Sequence, residues 1–534
     1  MKRAVDRIGV FPAPKGRISG FPAPKGQISI FLALVFLLVS ALIAVTLESA
    51  RSSCLDYLAE QAASSAADSV FAGFDSDLLA DFGLLAVRGR RGNTLTWTAE
   101  AERYARAFLQ PADGMVRRGD RVGLASLSVK ASDSVFMTED GGRIFADAVL
   151  DHMTSAGLEQ MLRDALERIG LFDEDGAASF SGTLQNFLGS DEFSLEDIIG
   201  NYGDLKKKAE DLIRAAQEAA GGDGTGEEGA AGSGTLTPPD LSETSFSELL
   251  EQLKAIKNGG ILAAVTGASS VSALSWSDPE RPSLLPAEEK NLHGGFAEAD
   301  FSFDETLLLG EFLMERMSCF VEAKNGPYRY EAEYVITGKS SEREALAAVA
   351  GDLMLIRTGL NFAYLCTDSE KLAAAETLAM TVMTALTVPE LTSVFKWLLV
   401  AAWAAAESVV DLRALFQGKR VVLWKSRSSW KLSALSLGAA EEASGFTVGL
   451  GYRDYLRLLF YLKSGPKAAY RMMDVIQARE RSLKNDFRLR EYMVGASLKM
   501  TAVTTTMYLQ FPAFRRLSGA GFGRQYTKTA ACGY

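Results

Sequence analysis

Few side chains in this sequence have the types and the spacing that catalysis needs. Glu407 and Asp411 lie one helical turn apart, a spacing that could pair two carboxylates but that is equally common in salt bridges. Because Arg413 is nearby, we interpret them as members of a structural ion pair. The chain has 2 histidines, His152 and His293, in different regions, and contains no GxSxG. The sequence therefore lacks the clustered histidines that a zinc site needs and gives little support for a Ser-His-Asp triad.

Two partial motifs fail at positions that their chemistry requires. Residues 336–340, ITGKS, resemble the end of a phosphate loop, but Glu333 stands where the first glycine is needed. The backbone there could not wrap a phosphate, so a surface turn is the better interpretation. Residues 173–176 resemble a calcium loop, but its first and bidentate ligand positions hold Leu171 and Gly182.

A third partial motif, at residues 240–244, has the spacing of an integrin-type metal site. It follows a Pro/Gly-rich linker rather than a buried strand, so a helix cap explains it better. With these motifs set aside, the sequence predicts no catalytic, cofactor-binding or metal-binding residues. We expect a protein that is not an enzyme and that has no cofactor.

The stretch at residues 28–47 organises the chain. It has no charge, no glycine and no proline, and a bilayer core needs about 20 apolar residues in a helix. A cleaved signal peptide is the alternative, but its apolar core runs about 7–15 residues and no good small-x-small site follows here. We therefore predict an uncleaved membrane anchor.

The tail before this span, residues 1–27, sets the expected orientation. It contains a tandem repeat, at 11–19 and 21–29, and its lysines and arginines outnumber its acid, Asp6. An excess of basic residues stays in the cytoplasm, so we expect everything after residue 47 to be extracytoplasmic. The net charge of −11 argues against nucleic acid as a partner.

The 4 cysteines are scattered and none forms a CxxC, so we expect buried or idle thiols: Cys54, Cys319, Cys366 and Cys532. After the span, the Ala-rich residues 48–74 should continue the helix, giving over 28–72 a rod of roughly 65–70 Å. Small side chains such as Ala62 and Ala66 would let another helix approach closely. The alternative is a helix that packs only on its own ectodomain.

We predict an α+β fold: a mostly helical ectodomain with a few short antiparallel strands. The predicted domains begin with the tail (1–27), the span (28–47) and a helical stalk with a membrane-proximal α+β region (48–218). A flexible linker (219–245), a helical or irregular connector (246–300) and a C-terminal α+β domain (301–534) follow.

The hydrophobic patterning assigns elements along this ectodomain. Strands are predicted at 122–135, 328–338 and 419–425, and a strand pair at 492–509. Helices are predicted at 98–109, 142–169, 205–219, 245–257, 305–322, 342–365, 369–387, 390–416, 452–463 and 466–482. Residues 375–410 are long and apolar enough for a second span, but the charged side chains there predict two buried helices instead.

Residues 26–31 (GQISIF), the span, residues 47–51 (LESAR) and residues 62–74 together resemble the N-terminus of TadG-like pseudopilins. These are single-span components of tight-adherence (Flp-type) pilus assembly systems. The resemblance implies a pilin-like helix that contacts other assembly or secretion components through residues 48–74. Prepilin-type processing needs Glu at the fifth place after Gly26, and this chain has Phe31 there.

The remainder resembles an uncharacterised family of large ectodomains found beside such systems in Gram-positive bacteria. The residues that carry this likeness are 82–86, 334–338, 356–357 with Asn361, 402–404 with Glu407, 411–413 and 418–419. The family offers no active site, and it lacks the von Willebrand A domain of many TadG-like proteins. The first hypothesis is thus a membrane-anchored assembly component. A cell-surface binding protein or adhesin with an acidic ectodomain is the second, and an extracytoplasmic enzyme is the third.

Overall fold

The computed structural model describes residues 25–110, 122–155, 260–263, 265–266, 271–286, 301–385, 389, 392–432, 449–463, 467–508 and 523–534. Several predictions concern segments outside these ranges: most of the basic tail, the linker 219–245, helices 205–219 and 245–257, His293, and the partial motifs at 173–176 and 240–244. The described residues are mostly helical, with a few strands.

The chain divides into two compact units. We call the first the anchor unit; it comprises Met1–Ser69, Thr98–Ser132 and Ser497–Ala531. The second, the core unit, comprises Val70–Trp97, Asp133–Ala496 and Cys532–Tyr534.

Helix α1, Lys25–Phe71, confirms the long helix predicted from the sequence. Its 47 residues span about 70 Å at 1.5 Å per residue. Near its start, the apolar side chains are exposed: Ile28 is 74 % and Phe36 is 73 % exposed. Farther along, Ala62 and Ala66 are buried. Other parts of the same chain therefore cover the small-residue face. This agrees with the alternative in which the helix packs on its own ectodomain.

Two helices in the described residues are long and apolar enough to cross a membrane, Ile28–Phe71 and Glu342–Thr367. Only 6 % of the most apolar window of the first is buried, against 67 % for the second. The second therefore has the burial of a core helix, and the first is the candidate membrane anchor.

The other helices of the described residues are α2 Ser76–Phe82, α3 Trp97–Leu109, α4 Arg143–Ser155, α5 Phe303–Arg316, α6 Glu331–Thr337, α7 Glu342–Thr367, α8 Ser369–Ala385, α9 Thr392–Phe416, α10 Tyr452–Lys463 and α11 Lys467–Leu483. In the core unit, α7 packs on α9, α9 on α8, and α6 on α7, α10 and α11. The main core, which includes Phe312, Leu353 and Leu459, contains side chains of α5, α6, α7, α10, α11 and the end of α9. Helix α8 contributes to a smaller core with α9, around Trp403.

The strands are β1 Val87–Arg88, β2 Arg90–Arg91, β3 Thr94–Leu95, β4 Leu124–Phe136, β5 Tyr492–Thr505 and β6 Gly523–Gly533. One sheet has the order β1-β5-β4, with β6 also paired to β5. Strand β1 is antiparallel to β5, with Val87 opposite Met493. Strands β2 and β3 form a separate antiparallel hairpin. The strand predicted at 122–135 is confirmed as β4.

The strand predicted at 328–338 is wrong, because Glu331–Thr337 is the helix α6. The prediction rests on the alternation of charged and apolar residues, but Glu331 through Ile336 are all buried. Glu331 accepts a 2.8 Å hydrogen bond from the backbone N–H of Ser318 and pairs with Arg479. The polar positions of the pattern are thus internal polar groups rather than a solvated strand face.

The strand predicted at 419–425 is also wrong. Only Val421 makes a bridge there, to Leu450. The carbonyls of Val422 and Leu423 accept hydrogen bonds from Arg357 instead of a neighbouring strand.

Three other predictions need smaller corrections. Helix α5 ends at Arg316 rather than at residue 322, because the backbone N–H groups of Ser318 and Phe320 are bound by glutamates of α6. The strand pair predicted at 492–509 is one strand, β5, up to Thr505. The segment 375–410 does form two helices, but α8 buries only one stripe of side chains, including Ala375 and Ala379.

Candidate functional site

Glu48 and Arg51 bind helix α1 to the rest of the anchor unit, at the point where the exposed part of the helix ends. Glu48 Oε2 accepts hydrogen bonds from the backbone N–H groups of Met507 (3.0 Å) and Tyr508 (2.9 Å). Arg51 Nη1 lies 2.7 Å from Glu48, and Arg51 Nη2 donates to the carbonyl of Val122 at 2.6 Å. These two residues, one turn apart, fix the helix to two distant segments.

Strand β6 makes further contacts with the same helix inside the anchor unit. The hydroxyls of Ser52 and Tyr526 lie 3.0 Å apart in a buried position. Lys528 Nζ lies 3.0 Å from Asp56 and 3.4 Å from Glu60. Helix α1 therefore has an exposed apolar part followed by a part that is bound to its own unit. We call the region of these contacts the anchor junction.

In the core unit, the main polar feature is a buried charge network centred on Asp411. Arg357 of α7 is fully buried, and its Nε and Nη2 donate to Asp411 Oδ2 at 3.1 and 2.7 Å. Its Nη1 donates to the carbonyls of Val422 (3.0 Å) and Leu423 (2.9 Å) and to the hydroxyl of Tyr455 (3.1 Å). One guanidinium thus joins α7, α9, α10 and the segment after α9.

Lys425 supplies the second cation of this network. Its buried Nζ lies 2.6 Å from Glu407 Oε1 and 2.7 Å from Asp411 Oδ1. Glu407 also accepts hydrogen bonds from the backbone N–H groups of Lys431 (3.0 Å) and Leu432 (2.9 Å). Two cations therefore face two carboxylates, so the charges balance within the cluster.

The remaining polar groups of the network are also bound. Asn361 Nδ2 donates to Ser408 Oγ at 2.9 Å, and its Oδ1 accepts from Arg357 at 3.2 Å. Burial alone would raise the pKa of the Asp411 carboxyl, but the charges of Arg357 and Lys425 outweigh it and hold that pKa below its ordinary value. Such a network joins helices together and leaves its carboxylates committed to structural contacts.

A second polar feature lies at the start of α2. One carboxylate oxygen from each of Asp75, Asp77 and Glu480 lies within 4.8 Å of the others. Lys484 Nζ lies 2.7 Å from Asp75 and 2.8 Å from Asp77, and the Tyr492 hydroxyl donates to Asp75 at 2.9 Å. Burial, together with the nearby charge of Asp75, raises the pKa of Glu480 to about 7.

His152 is the histidine that lies within the described residues, and its ring contacts an arginine of a neighbouring helix. Its Nε2 lies 2.9 Å from Arg316 Nη2. Burial and the Arg316 charge lower the pKa of the ring, so it is neutral at neutral pH. The segment 336–340 begins with the last two residues of α6, and the surface-turn interpretation holds for the exposed residues 338–340, where Gly338 ends the helix in the left-handed conformation at φ 67°.

The chain resembles a family of unknown function. The profile of that family, described as "Family of unknown function (DUF5702)", matches residues 240–504. The buried charge network lies wholly inside this range, whereas α1 and Asp75 lie before it. No curated protein and no solved structure matches the chain.

The ion-pair prediction for Glu407 and Asp411 is confirmed, with different partners. The cations that contact them are Arg357 and Lys425, where Arg413 was expected. A signal for Arg357 was present in the sequence, because it is the one charged residue in the stretch 353–367 and lies four residues from Asn361. No motif pointed to Lys425, or to the contact of Asp75 and Asp77 with Glu480, which is far away in sequence.

Proposed function

We propose that this protein is a membrane-anchored, non-enzymatic component of a tight-adherence (Flp-type) pilus assembly or related secretion system. The observation that carries the proposal is the division of α1 at the anchor junction. Its first part exposes apolar side chains over the length of a bilayer core, and its second part is bound to strand residues of the anchor unit. A pseudopilin-like anchor requires this arrangement.

The chemistry of the core unit supports a structural role. In the charge network, Asp411 and Glu407 are committed to two cations and to backbone donors, as expected of a scaffold that holds helices together. The partner surface of α1 must then lie opposite its buried alanines. Side chains on that side are exposed, and they include Tyr57, Gln61 and Ser64.

The proposed orientation has the N-terminus in the cytoplasm and everything after residue 47 outside. Cys54 gives a test, because it is exposed and follows the span by seven residues. In intact spheroplasts, a membrane-impermeant maleimide is expected to label the wild type at Cys54 and to lose most of its signal in Cys54→Ser. Labelling of Cys54 that requires permeabilised membranes would reverse the orientation.

The assembly role predicts a loss of surface pili when the gene is deleted. Wild-type protein should restore the pili, whereas Tyr57→Glu with Gln61→Glu should insert and fold but fail to restore them, since two charges alter the exposed side of α1. The matched control is Asp151→Asn, an exposed change in the core unit. Pili are counted by electron microscopy, and folding is checked by circular dichroism.

Normal pili in the deletion strain would contradict the proposal. If attachment to surfaces fell while pilus number stayed normal, the second hypothesis, a cell-surface binding protein or adhesin, would be favoured.

A further inference from the structure

A buried carboxylate without a hydrogen-bond donor lies beside the acidic group at the start of α2. Glu480 of α11 is 0 % exposed, and neither of its carboxylate oxygens has a hydrogen-bond partner among the described residues. Burying a charge without a partner costs free energy, and a bound ion is one way in which a protein offsets that cost. Glu480 is oriented toward the oxygens of Asp75 and Asp77.

The cation already present does not satisfy this group. Lys484 bonds to Asp75 and Asp77 but makes no hydrogen bond to Glu480 in the described structure. One ammonium group therefore contacts two of the three carboxylates and leaves Glu480 without a hydrogen bond in the described structure. The side chain of Lys484 is 35 % exposed and that of Asp77 is 46 % exposed, so the group has an open side through which water or an ion can enter.

We propose that Asp75, Asp77 and Glu480 form a binding site for a divalent cation of the calcium type. Hard cations bind carboxylate oxygens and complete their coordination with water, which the open side can supply. The ammonium of Lys484 occupies part of the site when no ion is bound and moves to solvent when one binds. The backbone holds Asp75 in place, since its Oδ1 accepts from the N–H groups of Asp77 (3.1 Å) and Leu78 (3.3 Å).

The site connects parts of the chain that are far apart in sequence. Asp75 and Asp77 precede the range that matches the family profile, and Glu480 lies within it. Bound calcium would therefore fasten the start of α2 to α11, and binding should appear as thermal stabilisation of the core unit.

The test uses the full chain in detergent after treatment with a chelator. Terbium is the first probe, because Tyr492 lies next to the site and can sensitise its emission. We expect terbium emission that calcium suppresses by competition, together with a saturable rise in Tm on addition of calcium. Glu480→Gln should lose both effects, and the matched surface variant Asp151→Asn should keep both.

A second variant keeps the proposal falsifiable if Glu480→Gln folds poorly. Lys484→Met removes the competing ammonium and should bind calcium several-fold more tightly than the wild type. The proposal is overturned if the wild type shows neither terbium emission nor a calcium-dependent Tm, if Glu480→Gln binds as well as the wild type, or if Lys484→Met binds no more tightly.

Discussion

Replacing Lys425 with methionine is expected to lower the free energy of unfolding of the core unit by about 3–5 kcal/mol. The ammonium of Lys425 is fully buried and is shared by Glu407 and Asp411. Its removal leaves one net negative charge in a place that water does not reach. Asp411 keeps Arg357, so the uncompensated charge falls on Glu407, whose hydrogen bonds among the described residues then come from the backbone N–H groups of Lys431 and Leu432.

The measurement is urea unfolding of the full chain in detergent, followed by circular dichroism. A matched control comes from the same segment: Arg427 pairs with Glu370, and their side chains are 71 % and 52 % exposed. Arg427→Met should change stability by less than about 1 kcal/mol, because exposed ion pairs contribute little.

A double variant separates lost charge balance from lost packing. Lys425→Met with Glu407→Gln removes one charge of each sign and leaves Arg357 paired with Asp411. It should recover a large part of the stability lost in the single variant. If Lys425→Met is as stable as Arg427→Met, or if the second change brings no recovery, the network does not hold the helices as described.

The elements with a strong pattern were predictable from the sequence. The anchor helix follows from twenty uncharged residues and an Ala-rich continuation without breakers, and α7, α10 and α11 follow from helical periodicity. Strand β4 follows from simple alternation. In each case one local property, apolar spacing, decides the structure, so no knowledge of distant residues is needed.

Failures occurred where buried polar groups depend on distant partners. The alternating charged and apolar residues of α6 predicted a strand, but Glu331 and Glu333 are both buried in a helix. Their partners, Arg479 and Tyr452, come from helices more than 100 positions later. Similarly, the strand predicted at 419–425 is absent because Arg357 binds its carbonyls. A single sequence does not reveal such pairs.

The candidate sites show the same division. The carboxylate pair of α9 was recognised as structural from its spacing, but its cations were not. The group formed by Asp75, Asp77 and Glu480 had no sequence signal, since its members are brought together only by the packing of α2 on α11.

The second large effect concerns pH and the buried carboxyl group of Glu333. Burial raises its pKa to about 7, even though the Phe320 N–H (2.9 Å) and the Tyr452 hydroxyl (2.7 Å) donate to it. Other titratable groups that interact with it include Glu342, Cys319 and Tyr330, which are acidic and do not offset its charge. In the unfolded chain the group has its ordinary pKa of about 4.5.

The sign of the pH effect follows from these two values. Between pH 4.5 and about 7, the folded state holds a proton on Glu333 that the unfolded state has released. The free energy of unfolding therefore falls as pH rises through this window. Since one pKa unit corresponds to about 1.4 kcal/mol, Glu333 costs up to about 3 kcal/mol above pH 7.

Glu333→Gln is expected to remove this cost. The amide resembles the protonated acid in shape and stays neutral, so the variant should match the wild type near pH 4.5 and become more stable than it by up to about 3 kcal/mol at pH 8. Urea unfolding of both proteins across this pH range measures the difference. Burial raises the pKa of Asp474 to about 6. Asp474 therefore contributes the same pH dependence to both proteins, and its contribution cancels in the difference between them.

The exposed Glu344 gives a control of opposite sign. Hydrogen bonds from Ser340 and Ser341 lower its pKa, so Glu344→Gln should lose a small stabilisation that is present at high pH and absent at low pH. A constant difference between wild type and Glu333→Gln from pH 4.5 to 8 would contradict the raised pKa of Glu333. A variant less stable than the wild type at pH 8 would mean that the ionised carboxylate is the form that the Phe320 N–H and the Tyr452 hydroxyl stabilise.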